Sequence, residues 1–254
     1  MNGQAAQFGI LLGLLILLVV LLGMSIATYM YTDDYSRKHA RRLARMHIVT
    51  SHWGEDLRWL GRAKFPVTVL SKIGAPKSTA PFQATARLPN SGREASAYLA
   101  YIVANYDDLP EFVAFLHGHE SAWHQKAGPI LKQLDTLATR LDTVRFHTLN
   151  RCFTKVWDAA DESYAAMQQY WPKVFAPWLG PMPKQLCYDC CAQFVVSRDA
   201  IRQRPLAAYK AWLAFTQDPA VRKTEYMFEY TWHLIFGEDA CVQQADWPIN
   251  QPGA

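Results

Sequence analysis

The sequence lacks the short motifs that announce the common nucleotide and hydrolase sites. There is no G-x-x-x-x-G-K-[ST] loop, no G-x-G-x-x-G, no G-x-S-x-G and no H-E-x-x-H. A P-loop enzyme, a fingerprinted dinucleotide enzyme, an α/β-hydrolase and a zincin are therefore poor readings. Cysteine is scarce: Cys152, Cys187, Cys190, Cys191 and Cys241. The C-Y-D-C-C run at 187–191 has no second pair at finger spacing, which argues against structural zinc. Packed thiols, or a disulfide from that run to Cys152 or Cys241, both stay open. Strong charge is missing too. The net charge is +4, and Arg37, Lys38, Arg41, Arg42 and Arg45 cluster in one stretch. The rest of the chain is near neutral, so a general nucleic-acid surface is excluded. No internal repeat is visible.

Apolar residues are plentiful. Half the chain is hydrophobic, with 9 Trp, 12 Tyr and 12 Phe, which argues for a packed core rather than disorder. Residues Phe8–Met30 carry no charge. As a helix they would span about 34 Å, enough for a hydrocarbon core of about 30 Å. They are expected to form one transmembrane helix and to put the chain on a membrane as a single-pass protein. A cleaved signal peptide is the competing reading, with Ser25 and Ala27 as small residues near its end. The basic residues come after the span, so the positive-inside rule would keep the domain in the cytoplasm. The expected divisions are a tail (1–7), the span (8–30), a basic stem (31–46), one domain (47–240) and a C-terminal tail (241–254).

Within 47–240 the pattern alternates. Strands are expected at 47–53, 66–70, 112–116 and 193–196, and residues 75–89 read as a loop. A helix over 91–106 begins with an S-x-x-E capping box, Ser91 and Glu94. Further helices are expected at 130–144, 158–170, after Ser197, from Pro205, and over 223–236. Strands alternating with helices predict an α/β domain with a mostly parallel central sheet covered on both faces, Rossmann-like in layout. Ligands in such sheets sit beyond the carboxyl ends of the strands. Four segments are thereby singled out: 51–56, 90–94, 117–120 and 197–204.

Each carries some chemistry. In LPNSGRE (88–94), Gly92 permits a tight turn into a helix start and Arg93 supplies a forked cation, suited to a diphosphate or carboxylate. In FLHGHE (115–120), His117 and His119 form an H-x-H pair that could ligate a divalent metal, with Glu120 as a third ligand. Arg198, Arg202 and Arg204 could meet phosphate. Outside these segments, Glu229 and His233 are four apart and would share a helix face, as a base or ligand pair or as a structural hydrogen bond.

The pieces IVTSHWGEDLRWL, LPNSGREASAYLAYIVANYDDLPEFVAFLHGHE, FVVSRDAIRQRPLAAY and YTWHLIFG, in that order, resemble a eukaryotic family known as domain of unknown function 3431. Its layout looks like the single-Rossmann-like "A" fold of glycosyltransferases. The resemblance implies a membrane-anchored enzyme of the Golgi or endoplasmic reticulum. It would move a sugar from a nucleotide sugar to a glycan acceptor. Asn90, Arg93, Asp56 and Arg198 would hold the nucleotide, Glu229 would be the general base, and His233 with His119 would help bind a metal or the leaving phosphate. A manganese or magnesium ion would sit at His117 and His119. Transferases of that fold usually carry D-x-D after a central strand, and here His117-Gly118-His119 stands there instead. The alternative is a non-catalytic carbohydrate- or protein-binding module, or a pseudoenzyme, on a membrane anchor.

Overall fold

The computed structural model describes residues 17, 19–25, 27–32, 45–72, 84–125, 128–150, 162–184, 186, 191–221 and 224–241. The chain divides into two compact units, Met1–Leu43 and Ala44–Ala254. In the first, the described residues between 17 and 32 are helical and expose Leu22, Met24 and Tyr29. Among the described residues, no helix is long and apolar enough to cross a membrane. Of the expected span at 8–30, residues 8–16, 18 and 26 lie outside them.

The second unit is an α/β fold. Its strands are β1 (Met46–His52), β2 (Val67–Ser71), β3 (Ala84–Arg87), β4 (Phe112–His117), β5 (Phe146–Thr148) and β6 (Phe194–Ser197). Its α-helices are α1 (Arg93–Asn105), α2 (Ile130–Leu137), α3 (Glu162–Val174), α4 (Ala176–Leu179), α5 (Arg198–Arg202), α6 (Leu206–Gln217), α7 (Thr224–Glu229) and α8 (Trp232–Ile235). The strands form one six-stranded sheet in the order β3-β2-β1-β4-β6-β5. Pairings among β3, β2, β1 and β4 are parallel. β6 runs antiparallel to both β4 and β5. The sheet is thus mixed, not mostly parallel as the alternating pattern implied. The order 3-2-1-4 places a topological switch point between β1 and β4, where a crevice opens at the strands' carboxyl ends.

Side-chain alternation builds the two layers. Val49, Val113, Phe115 and Phe194 turn to one face, in a cluster with Tyr98, Leu99 and Ile102 of α1, Trp212 of α6 and Trp232 of α8. Ile48, Ala114 and Leu116 are fully buried outside that cluster, on the opposite parity. The first face is strongly aromatic. Ring centroids lie 4.7 Å apart for Tyr98–Phe115 and 5.4 Å for Phe115–Phe194 and Phe194–Trp232. Tilted pairs at such spacing add about 0.5–1.5 kcal/mol each beyond burial.

Several local expectations are corrected. The helix start at 91–94 is not a capping box. Gly92 occupies the N-cap position in the left-handed region (φ 59°), and no side chain caps the helix. β3 lies in the stretch read as a loop. α3 continues through Pro172. Arg45 belongs to the fold rather than to the stem: its Nε donates to Glu111 Oε2 at 2.7 Å and its Nη2 to Asp142 Oδ1 at 2.6 Å. The helix expected over 223–236 is two short helices broken at Tyr230–Thr231. Thr231 Oγ1 donates to Met227 O at 2.7 Å, a side-chain competition with the backbone that bends helices.

Candidate functional site

Buried polar side chains gather where the parallel strands end. Thr50, Ser51 and His52 of β1, Ser71 of β2 and the adjacent Lys72 are all buried. Such burial is costly unless the groups are bonded or used. His52 is bonded at both nitrogens: Gly54 N–H donates to its Nε2 at 3.0 Å, so its Nδ1 donates to Ser71 Oγ at 2.9 Å. That anchors the turn after β1. Within the turn, Trp53 N–H donates to Glu55 Oε2 at 2.6 Å.

A cavity of about 550 Å³ opens there. The end of β1 contributes Ser51, the turn after it Trp53 and Glu55, and the residue after β2 is Lys72. Asn90, Arg93 and Glu94 come from the segment after β3. β4 and the turn after it contribute His117, Gly118 and His119, joined by His124. Glu229 enters from the end of α7. Three of the four singled-out segments therefore converge on one site.

On the cationic wall, Lys72 Nζ donates to Ser91 O and to Ser96 Oγ, each at 2.6 Å. Burial lowers its pKa to about 8, with the Glu94 carboxylate working the other way. Two of the three ammonium protons are used, which leaves one for a ligand. Arg93 is exposed, carries a positive φ of 41° and lies over the Tyr226 ring, 5.6 Å from its centroid.

The histidine wall is compact. The rings of His117, His119 and His124 lie 5.1, 5.6 and 6.0 Å apart, pair by pair. Burial, reinforced by the two neighbouring imidazoles, lowers His117 to about 3. Burial also lowers His119, with Glu55 opposing. Both rings are held in the neutral form, which is the form that binds metal. Glu55 packs tightly against Gly118, where an added Cβ would come within 2.7 Å of Glu55 Oε2. Gly118 O accepts from Trp59 Nε1 at 3.1 Å.

The remaining expected residues lie elsewhere. Arg198 is at the opposite end of the sheet and donates to Leu109 O at 3.3 Å. β6 runs antiparallel, so its carboxyl end points away from the cavity. Asp56 is exposed beside the turn and paired with Arg58 at 2.5 Å. His233 is fully buried beyond the helix break, its ring facing the Ala240 backbone carbonyl as acceptor, and it does not line the cavity that Glu229 enters. Arg204 ties α4 and α8 together through carbonyls of Trp178, Leu234 and Ile235, and Arg202 bonds Asp107 O. Glu120 pairs with Arg62 instead of joining the histidines. The sequence reading missed His124, Glu55 and Lys72. An H-x-H-x4-H spacing was the available signal for the first.

No curated protein and no solved structure matches the chain. A family model described as "Protein of unknown function (DUF3431)" matches residues 48–247, which include both walls of the cavity. The chain belongs to that family, DUF3431.

Proposed function

We propose that this cavity is the active site of a transferase that moves a sugar from a nucleotide-sugar donor to an acceptor hydroxyl. One observation carries the reading: Lys72, Asn90 and Arg93 share a cavity with Glu55 and Glu229 at the carboxyl ends of β1–β4. The switch point of an open α/β sheet is where nucleotides bind. The lysine, the amide and the forked guanidinium suit a diphosphate. Glu229 serves as general base for the acceptor and needs to reach within about 3 Å of its hydroxyl. A divalent metal at the histidine wall would offset charge on the leaving phosphate. Asp56, Arg198 and His233, outside the cavity lining, drop out of the machinery. Residues 8–30 attach the enzyme to a Golgi or endoplasmic reticulum membrane.

A second reading, a non-catalytic carbohydrate-binding module, has its own support. In the folded unit the exposed large apolar side chains, among described residues, are Trp53 (59%) and Trp123 (77%). Trp53 lines the cavity, and Trp123 lies edge-on to His124 at 5.5 Å. Exposed indoles stack on sugar rings in either reading.

The test is thermal shift of the full chain with UDP-, GDP- and CMP-sugars, with and without divalent ions, and then turnover. A donor should raise the melting temperature. Arg93→Ala should remove that shift. Glu229→Gln should keep it and lose turnover. Binding of glycan without any nucleotide response would favour the module.

A further inference from the structure

We propose that His117, His119 and His124 form a mononuclear site for a zinc-class ion, with a further coordination position open to the cavity. As a metal site this stands on its own residues. Its part in sugar transfer rests on the reading above.

The three imidazoles offer one ring nitrogen each, and these atoms lie within 4.8 Å of one another. Tetrahedral zinc with bonds of about 2.0–2.1 Å needs nitrogens about 3.3 Å apart, a closure that small ring rotations supply. The Nε2 atoms of His117 and His119 are buried and lack a hydrogen-bond partner among the described residues. Two orphaned ring nitrogens side by side are costly in a folded core. A shared cation would satisfy both.

The strongest support comes from behind His124. The backbone N–H of His117 can only donate, and it donates to Gln193 Oε1 at 3.2 Å. That fixes the amide of Gln193, so its Nε2 donates to Asn150 Oδ1 at 3.3 Å. Asn150 therefore presents its oxygen, and this same atom lies 2.9 Å from His124 Nδ1. An oxygen cannot donate, so His124 Nδ1 carries the proton and its Nε2 keeps the lone pair. A ligating histidine held through its other nitrogen by a carbonyl oxygen is the usual second layer of a metal site. Gln193 thus ties two of the three histidines into one network.

The ligand chemistry selects the metal. Three neutral imidazoles suit zinc, cobalt or nickel, whereas magnesium and manganese prefer carboxylates, carbonyls and water. The proposed ion thus differs from the manganese or magnesium that the family resemblance implied. Three protein ligands with an open position is the pattern of a catalytic rather than a structural zinc. When bound, such an ion acts as a Lewis acid toward a ligand oxygen. Glu55, packed against Gly118 between His117 and His119, is placed to orient that ligand.

The experiment is metal titration of the full chain after stripping with chelator, read by calorimetry and by the visible ligand-field bands of cobalt(II). One equivalent of zinc should bind and survive a large excess of magnesium and manganese. Cobalt should give intense bands of low coordination number. His119→Ala and His124→Ala should remove binding while melting like the metal-free parent. Asn150→Ala should keep the stoichiometry and weaken affinity about 10–100-fold. Either histidine variant binding zinc with parental affinity, or a preference for magnesium or manganese, would overturn the site. Nucleotide-sugar thermal shifts on the same metal-free chain separate the two ideas. A donor response without zinc binding keeps the transferase reading and ends the metal site. Zinc binding with no nucleotide response does the reverse.

Discussion

Lys72 is cationic at neutral pH but only by a narrow margin. Its ammonium sits in a buried pocket that lowers its pKa to about 8. A free Lys72 therefore discharges as pH rises through about 8. A bound anion favours the charged form and moves that point upward. Affinity for UDP, measured by calorimetry from pH 7 to pH 10, should fall about tenfold, the worth of one charge-assisted hydrogen bond. Lys72→Arg should flatten the profile because arginine keeps its charge. A parent profile equally flat would remove Lys72 from the phosphate wall. His233 acts on stability instead. Burial lowers it to about 4, below an unfolded value of about 6.5. The neutral ring fits the core, so its contribution is fully present above about pH 6.5. It is lost as pH falls toward 4, by up to about 3 kcal/mol. Urea midpoints at pH 7.5 and 4.5 should drop more steeply for the parent than for His233→Gln. Parallel slopes would show the ring to be better hydrated than its burial implies.

Elements position the site through two glycines. Gly118 leaves room for Glu55 beside the histidines, and Gly92 opens α1 against α6. A Cβ at Gly92 would meet Thr216 Cβ at 2.7 Å and Thr216 O at 3.0 Å, at a φ of +59°. Both the clash and the left-handed backbone oppose any other residue. Gly92→Ala should cost about 1–3 kcal/mol in urea unfolding and, by shifting Arg93, should weaken donor binding as well. Unchanged stability would mean that the two helices can separate freely. Much of this layout was legible beforehand. β1, β2, β4 and β6 announced themselves as β-branched or aromatic runs, and β-strand ends led to Asn90, Arg93, His117 and His119. What escaped has physical reasons. β5 has three residues, too few to show a period, and β3, with four, sits in a stretch rich in proline and polar residues. The direction of β6 is a property of its neighbours, so Arg198 was assigned to the wrong end. His124 lies in a turn with no periodicity, so its spacing from His117 and His119 was the one hint the sequence held. Glu229 and His233 share a spacing, but the Thr231 bend cancels the helix that would have made the spacing meaningful.

At the scale of the whole molecule, the proposed membrane attachment through residues 8–30 raises the question of which side the α/β unit would occupy. Charge order alone favours the cytoplasm, because the basic cluster comes after residues 8–30. The fold weakens that inference. Arg45, one of the five basic residues, is engaged with Glu111 and Asp142, so fewer charges remain to face lipid. Cys241 is disulfide-bonded, and disulfides persist in oxidising compartments. A nucleotide-sugar transferase of the secretory pathway would also work in the lumen. Under the transferase reading a lumenal unit is therefore the expected outcome, against a charge bias of about 1 kcal/mol per juxtamembrane residue. The sequence contains no Asn-x-Ser/Thr acceptor, so an appended one reports cleanly. A short tag bearing Asn-x-Thr after Ala254 should be glycosylated, and the added mass should be removed by an endoglycosidase. An unmodified tag on a stably expressed chain would place the unit in the cytoplasm. The cysteine at 241 would then be expected reduced, and the donor would have to come from the cytosolic pool.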